Sequence, residues 1–240
     1  MSDDVPAVLR VPVIGGKGGE AESLRARVEE LEALVVRQAL DAFRGGQAVH
    51  ADALARLARV AEYRDDNSSE HTQRVGALAA GLARRLGAPD RTVALVRQAA
   101  PLHDLGKIAI PDSILLKPGR LEPEEFEVIK AHTTLGARVL ESDDPLLGAA
   151  ARIARSHHEF WDGSGYPDGL AGEAIPFDAR VVHVADVFDV LVHERPYKEA
   201  WSVADAAREI VAASGTQFDP GVVAAFEALG PAGWKSSGPA

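Results

Sequence analysis

Apolar residues recur along most of this chain at intervals of three and four, with arginine, glutamate and other polar residues between them. That is the period of an amphipathic helix and not of a strand. The first such stripe starts at Leu24 and runs through Val28, Leu31 and Val35 to Gln38 and Ala42, in alternating steps of four and three. It predicts a helix over 21–44 with a narrow apolar seam. Two uses fit the seam: a helix resting on its own domain's core, or a short parallel coiled coil that joins two copies into a homodimer. Three heptads do not decide between them. After Gly45-Gly46, helices are predicted at 48–64, 68–86, 90–105, 123–141, 146–158, 178–193, 202–214 and 220–229. The valine content of VVHVADVFDVLV also suits a buried strand. At twelve residues it is too long for the usual strand, and Asp186 and Asp189 share one face only at helical spacing, so it reads as a buried helix. Pro89, Pro111, Pro118, Pro145, Pro176 and Pro220 all fall at helix starts or in loops, where proline is tolerated. The expected fold class is all-α: a helical bundle interrupted by loops at 106–122 and 159–177.

Composition sets the boundaries of this picture. The glycine-rich start predicts a flexible tail over 1–20, followed by an N-terminal helical segment at 21–63, the main domain at 64–229 and a second tail at 230–240. Residues 1–63 are too few for a full sensory domain, so any input signal is expected from partners or from the 21–44 helix. No apolar run approaches the roughly 18 to 20 residues that cross a bilayer, and MSDDVPAVLR lacks the basic-then-apolar order of a secretion signal. A cytoplasmic protein without a membrane partner is expected. A net charge of −10 argues against binding polymeric nucleic acid, so a phosphate-bearing substrate needs local cations.

The absence of cysteine excludes thiolate zinc sites, iron–sulfur clusters and cysteine nucleophiles, so any metal must be held by imidazole and carboxylate. The eight histidines are then the most informative residues. His103-Asp104 sits in the apolar run AAPLHDLGKIAIP, and His157-His158 in ARSHHEFWDGSGYP. Burying such pairs without partners is costly, and a metal offsets the cost. A lone core histidine is usually satisfied by a backbone carbonyl. Here the candidates recur on successive helices as His71, His103, Asp104, His132, His157, His158 and Asp186. That number of ligands suits a dinuclear site, in which two divalent cations share a carboxylate and a bridging water. Without thiolates, iron or manganese suits it at least as well as zinc.

Four segments together, HDLGK, IPDSILLKPG, HHEFWDGSGYP and VADVFDVLVHERPYK, resemble the HD-GYP family, a branch of the HD phosphohydrolases that cleaves cyclic di-GMP. The resemblance runs from about Arg64 to Ala225. It implies an HD-domain helical bundle and a phosphodiesterase that opens cyclic di-GMP to pGpG by attack of a metal-bridging hydroxide, with onward cleavage to GMP left open. By position, it implies His71, His103, Asp104 and Asp186 as ligands of one metal, and His132, His157 and His158 as ligands of the second, with Asp104 bridging. Lys107 is implied at the reacting phosphate, Arg195 and Lys198 at the other phosphate, and Tyr166 at the pocket rim. Lys117 and Arg120 are either substrate contacts or solvated loop charges. Asp189 is either a partner that orients a ligand histidine or a simple helix-capping or salt-bridge residue; His183 and His193 are expected to pack or to face water, and Trp161 to pack under the loop rather than to stack on guanine. Three departures stand out. Asn67 occupies the place where some members carry a glutamate for a third metal, so two metals are expected. Phe160 replaces a residue that is often basic, and Glu122 is a poorer helix cap than Ser or Thr. The rival readings are a receptor that binds the nucleotide without turnover, and an HD phosphohydrolase for another nucleotide.

Overall fold

A computed structural model describes residues 50–65, 70–194 and 199–235. The 21–44 helix, the first tail, Asn67, Arg195, Lys198 and residues 236–240 lie outside the described residues. Among the described residues nine α-helices follow one another: α1 His50–Asp65, α2 His71–Arg85, α3 Asp90–Ala99, α4 Asp112–Leu115, α5 Pro123–Leu140, α6 Pro145–Ser156, α7 Phe177–Val192, α8 Val203–Ala212 and α9 Pro220–Lys235. Short 3-10 turns occupy Ala100–Leu102, Leu105–Ala109 and Gly172–Ala174. The only extended pairing among these residues is two isolated bridges, Asp162 with Ala171 and Ser214 with Phe218. The domain is an all-α bundle.

Local chemistry accounts for the helix starts. Asp144 caps α6 by accepting the N–H groups of Leu146 and Leu147 at 2.8 and 3.1 Å, and Ser202 accepts that of Asp205 at the start of α8. At α5 the weak cap Glu122 is helped by Glu125, whose carboxylate accepts the Glu122 N–H at 2.8 Å. The apolar stripes of α1, α2, α3, α6, α7 and α9 then close on one core that includes Leu57, Leu82, Val96, Ile153, Val184 and Phe226. VVHVADVFDVLV is helical and buried, because α7 runs through the middle of that core.

Three sequence expectations need correcting. The helix expected over 90–105 ends at Ala99, because Pro101 has no N–H to donate and its ring crowds the preceding turn. The loop expected at 106–122 contains a 3-10 turn and α4. Residues 230–235 are not a free tail. The chain kinks at Gly230 (φ 62°), and Trp234 then stacks on Phe226 at 4.6 Å and donates its indole N–H to the Phe226 carbonyl at 2.9 Å. No helix among the described residues is long and apolar enough to cross a membrane.

Candidate metal centre

Five stretches of chain converge on one buried cluster. His71 opens α2, His103-Asp104 lies between two 3-10 turns after α3, and His132 lies in α5. His157 and His158 follow the last turn of α6, and Asp186 is in the middle of α7. Their donor atoms form two groups, Asp104 with His132, His157 and His158, and His71 with His103 and Asp186. Within each group the donor atoms lie within 4.8 Å of one another. Asp104 connects the two: Oδ1 is 3.2 Å from His132 Nε2 and 3.6 Å from His157 Nε2, while Oδ2 is 3.3 Å from His103 Nε2.

Backbone carbonyls fix how the rings face. His103 Nδ1 donates to the Ala100 carbonyl at 2.9 Å, His132 Nδ1 to that of Ile129 at 2.7 Å, and His157 Nδ1 to those of Ile153 and Ala154 at 3.1 Å. A carbonyl can only accept, so the proton sits on Nδ1 and the Nε2 lone pair points inward. The three Nε2 atoms and Asp104 Oδ1 are buried and have no hydrogen-bond partner in the protein. Buried polar atoms are normally paired, and three lone pairs beside a carboxylate oxygen are a donor set for a divalent cation. The residues present therefore fit a metal. His71 is held differently, with Nδ1 donating to Asp189 Oδ2 at 2.7 Å while Nε2 lies 3.3 Å from Asp186 Oδ1.

The charges follow from this crowding. Burial pulls the His71 pKa down, but the hydrogen bonds and charges of Asp186 and Asp189 outweigh it and raise it to about 9. Burial works against the charge of Asp104 too, yet Lys107 and the nearby histidines hold its carboxyl well below the ordinary range. Lys107 donates to Asp104 Oδ2 at 2.8 Å. His157 and His158 are pushed down, chiefly by burial. Burial lowers the His103 pKa as well, but Asp104 and Asp186 outweigh it and raise it. Since neutral imidazoles and ionised carboxylates are the forms that bind metals, a cation entering beside His71 and His103 displaces protons, whereas His157 and His158 are already neutral.

A supporting layer holds the donors in place. Arg74, one turn after His71, grips Asp189 with two parallel bonds, Nε to Oδ1 at 2.7 Å and Nη2 to Oδ2 at 2.9 Å, so the Asp189 carboxylate that orients His71 is itself fixed. Glu62 in α1 accepts the Thr72 hydroxyl at 2.9 Å and ties that helix to the start of α2. Glu159, only 1% exposed, accepts the N–H groups of Asp168 and Leu170 at 2.7 and 3.0 Å, folding the 159–177 loop back on itself. The Glu159 carbonyl accepts from His183 Nδ1, and the other ring nitrogen of His183 meets the Gln217 amide at 3.0 Å. His183 is thus a packed core histidine, and burial lowers its pKa to about 4. His193 donates to the Asp189 carbonyl, and Trp161 lies under the Arg180 guanidinium.

Tyr166 stacks on His158 at 4.8 Å and so stands in the wall beside the cluster. The glycine before it is forced: a Cβ on Gly165 would lie 2.2 Å from Phe160 N and 2.5 Å from His158 O. Lys117 pairs with Glu125 at 2.6 Å, at the start of α5. Neither Arg74 nor Glu159 stands out in the sequence. The one available signal for Arg74 is its spacing of three from His71, which places both on one face of α2. Arg74→Ala should lower metal occupancy preferentially in the group containing His71, by about 10- to 100-fold in affinity, the usual cost of losing an outer-shell partner. Metal titration monitored by calorimetry checks this; equal affinity at both sites in the variant and the parent contradicts it.

A family model of the HD domain matches residues 56–222. The cyclic di-GMP phosphodiesterase response regulator RpfG of Xanthomonas campestris pv. campestris is 45% identical over 208 residues, covering 86% of this chain and 54% of that protein. A cyclic di-GMP phosphodiesterase of Thermotoga maritima is 51% identical over 171 residues, covering 71% and 46%. The 3'3'-cGAMP-specific phosphodiesterase 2 of Vibrio cholerae is 41% identical over 168 residues, covering 70% and 32%. This chain spans about half or less of the length of these relatives. Among solved structures, Bd1817, an HDG"Y"P protein from Bdellovibrio bacteriovorus, superposes with a TM-score of 0.56 at 19% identity over 88% of this chain and 80% of that one, a likeness of fold. With the His103-Asp104 pair at the junction of the cluster and the Gly165-Tyr166-Pro167 loop against His158, the chain belongs to the HD domain family, in its HD-GYP branch.

Proposed function

We propose that the chain is a metal-dependent phosphodiesterase that opens cyclic di-GMP to pGpG. One observation carries the reading: three buried Nε2 atoms and one Asp104 oxygen converge without hydrogen-bond partners, while the opposite nitrogen of each ring is tied to a carbonyl. His71, His103, Asp104 and Asp186 would hold one cation. His132, His157 and His158 would hold the other, with Asp104 shared. Imidazole and carboxylate donors suit iron or manganese. When bound, such a pair supplies Lewis acidity to the phosphoryl oxygens and lowers the pKa of a water for in-line attack.

The chain's own residues do the rest. Opening the ring consumes one water: its oxygen bonds to phosphorus, the P–O3′ bond breaks, and a proton ends on the 3′ oxygen. The Lys107 ammonium, 2.8 Å from Asp104, stands where it can neutralise charge gathering on a phosphoryl oxygen or on the leaving oxygen. Arg195 and Lys198 would grip the second phosphate, the planar guanidinium by two parallel bonds. These cations supply locally what a net charge of −10 denies globally.

The test is turnover. Protein purified without oxygen and loaded with iron or manganese should convert cyclic di-GMP to pGpG, with two metals per chain. No turnover with any divalent metal, under reducing or oxidising conditions, rejects the reading. Arg195→Ala should raise KM by about tenfold or more, the scale of a charge-assisted hydrogen bond, while metal content is retained. A second reading keeps the chemistry and changes one base, because a relative 41% identical to this chain is a 3'3'-cGAMP-specific phosphodiesterase. A higher kcat/KM for 3'3'-cGAMP than for cyclic di-GMP decides in its favour.

A further inference from the structure

Phe126 is a large apolar side chain that α5 leaves 43% exposed. Single exposed apolar residues are ordinary, but the position of this one is not. Its ring meets Tyr166 edge-on at 6.1 Å, and Tyr166 stacks on His158 at 4.8 Å. A ladder of three rings therefore leads outward from the metal cluster and ends on an uncovered aromatic surface. Lys130, one turn further along α5, places its ammonium 5.0 Å from the Phe126 centroid and 5.7 Å from that of Tyr166, and Glu127 holds the same ammonium at 2.6 Å. Phe126 is thus braced by Tyr166 and Lys130, with the remainder of the ring open. A ring needed only for packing gains most by being buried.

Resting on the cyclic dinucleotide reading of the site, we propose that Phe126 is the platform on which one purine base of the substrate stacks, with Lys130 and Tyr166 holding its ring in place. The platform lies two ring spacings from His158, a separation that a nucleotide can bridge between its phosphate and its base. Stacking is tolerant of base identity because every base has a π-face. Phe126 would therefore contribute affinity for guanine and adenine alike and would not select between cyclic di-GMP and 3'3'-cGAMP.

The experiment compares steady-state kinetics of the metal-loaded parent, Phe126→Ala and Phe126→Trp on cyclic di-GMP, on 3'3'-cGAMP and on methyl p-nitrophenyl phosphate, a diester without a nucleobase. Phe126→Ala should raise KM for both cyclic dinucleotides by about 5- to 150-fold, the span of one lost base–aromatic stack. That rise should exceed the loss on the base-free diester at least about fivefold, metal content should be retained, and Phe126→Trp should restore the KM. Two results overturn the inference alone while the parent turns over cyclic dinucleotide: an unchanged KM in Phe126→Ala, or equal losses with and without a base. A parent that turns over neither cyclic dinucleotide overturns the phosphodiesterase reading, and this inference with it.

Discussion

Replacing Asp104 by alanine should remove metal from both halves of the cluster at once and lower turnover of cyclic di-GMP by about 10³-fold or more. Among the cluster residues its carboxylate reaches into both groups, with Oδ1 facing His132 and His157 while Oδ2 faces His103 and accepts from Lys107. Without it, the inward nitrogens of three buried histidines lose their nearest anion and Lys107 loses the partner that holds its ammonium. The expected rate loss is on the scale of deleting one preorganised electrostatic group, and the loss of metal adds to it. Asp104→Asn keeps the volume and removes the charge, so it separates packing from chemistry: melting close to the parent with metal content near zero is the expected pair of results. Elemental analysis alongside turnover reads both variants. Two metals per chain in Asp104→Ala, or activity within tenfold of the parent, would sink the proposed role of this residue.

The candidate cluster was legible in the sequence because its signals are local, whereas the shared position of Asp104 rested on the resemblance to the HD-GYP family. His103-Asp104 and His157-His158 are adjacent polar pairs in apolar surroundings, and period-3.6 stripes place most of the helices within a few residues of where they lie. The break at Pro101 was missed although its signal is local, since a proline inside a proposed helix argues for its end. Other features depend on distance through space, which one sequence does not display. Arg74 and Asp189 are 115 positions apart in the chain, and their pairing arises because α2 and α7 pack side by side. Glu159 reads as the third letter of a motif, but its burial and its bonds to Asp168 and Leu170 show that it folds the loop. Phe126 looks like any apolar residue of a helix stripe until Tyr166, 40 positions away in the chain, arrives beside it. The glycines of HDLGK and of the Gly165-Tyr166-Pro167 loop likewise owe their meaning to backbone atoms that approach from elsewhere.

Gly106 makes that last point testable, and Gly106→Ala should be among the most damaging small substitutions in the domain. A Cβ at this position would lie 1.9 Å from the His132 carbonyl oxygen, 2.6 Å from the Gly136 nitrogen and 2.8 Å from the His132 carbonyl carbon. All three are backbone atoms of α5, which cannot rotate aside as a flexible side chain can. The 3-10 turn that Asp104 precedes and the helix carrying His132 would have to separate, across a contact in which Asp104 Oδ1 and His132 Nε2 are 3.2 Å apart. Overpacking of this kind costs about 1–3 kcal/mol and more where backbone is displaced, so a fall in Tm of at least about 5 °C is expected, together with loss of metal. Gly81→Ala is the matching control. It lies inside α2, where an added Cβ would meet only Leu229 Cδ1 at 3.8 Å, an ordinary contact. Alanine in a helix interior gains about 0.5–1 kcal/mol over glycine, so this variant should hold or slightly raise Tm and keep its metal. Thermal melts and metal analysis of the two variants side by side would discriminate. Similar melting temperatures for both, or full metal content in Gly106→Ala, would show that α5 and the Asp104 turn do not need to approach so closely for the centre to form.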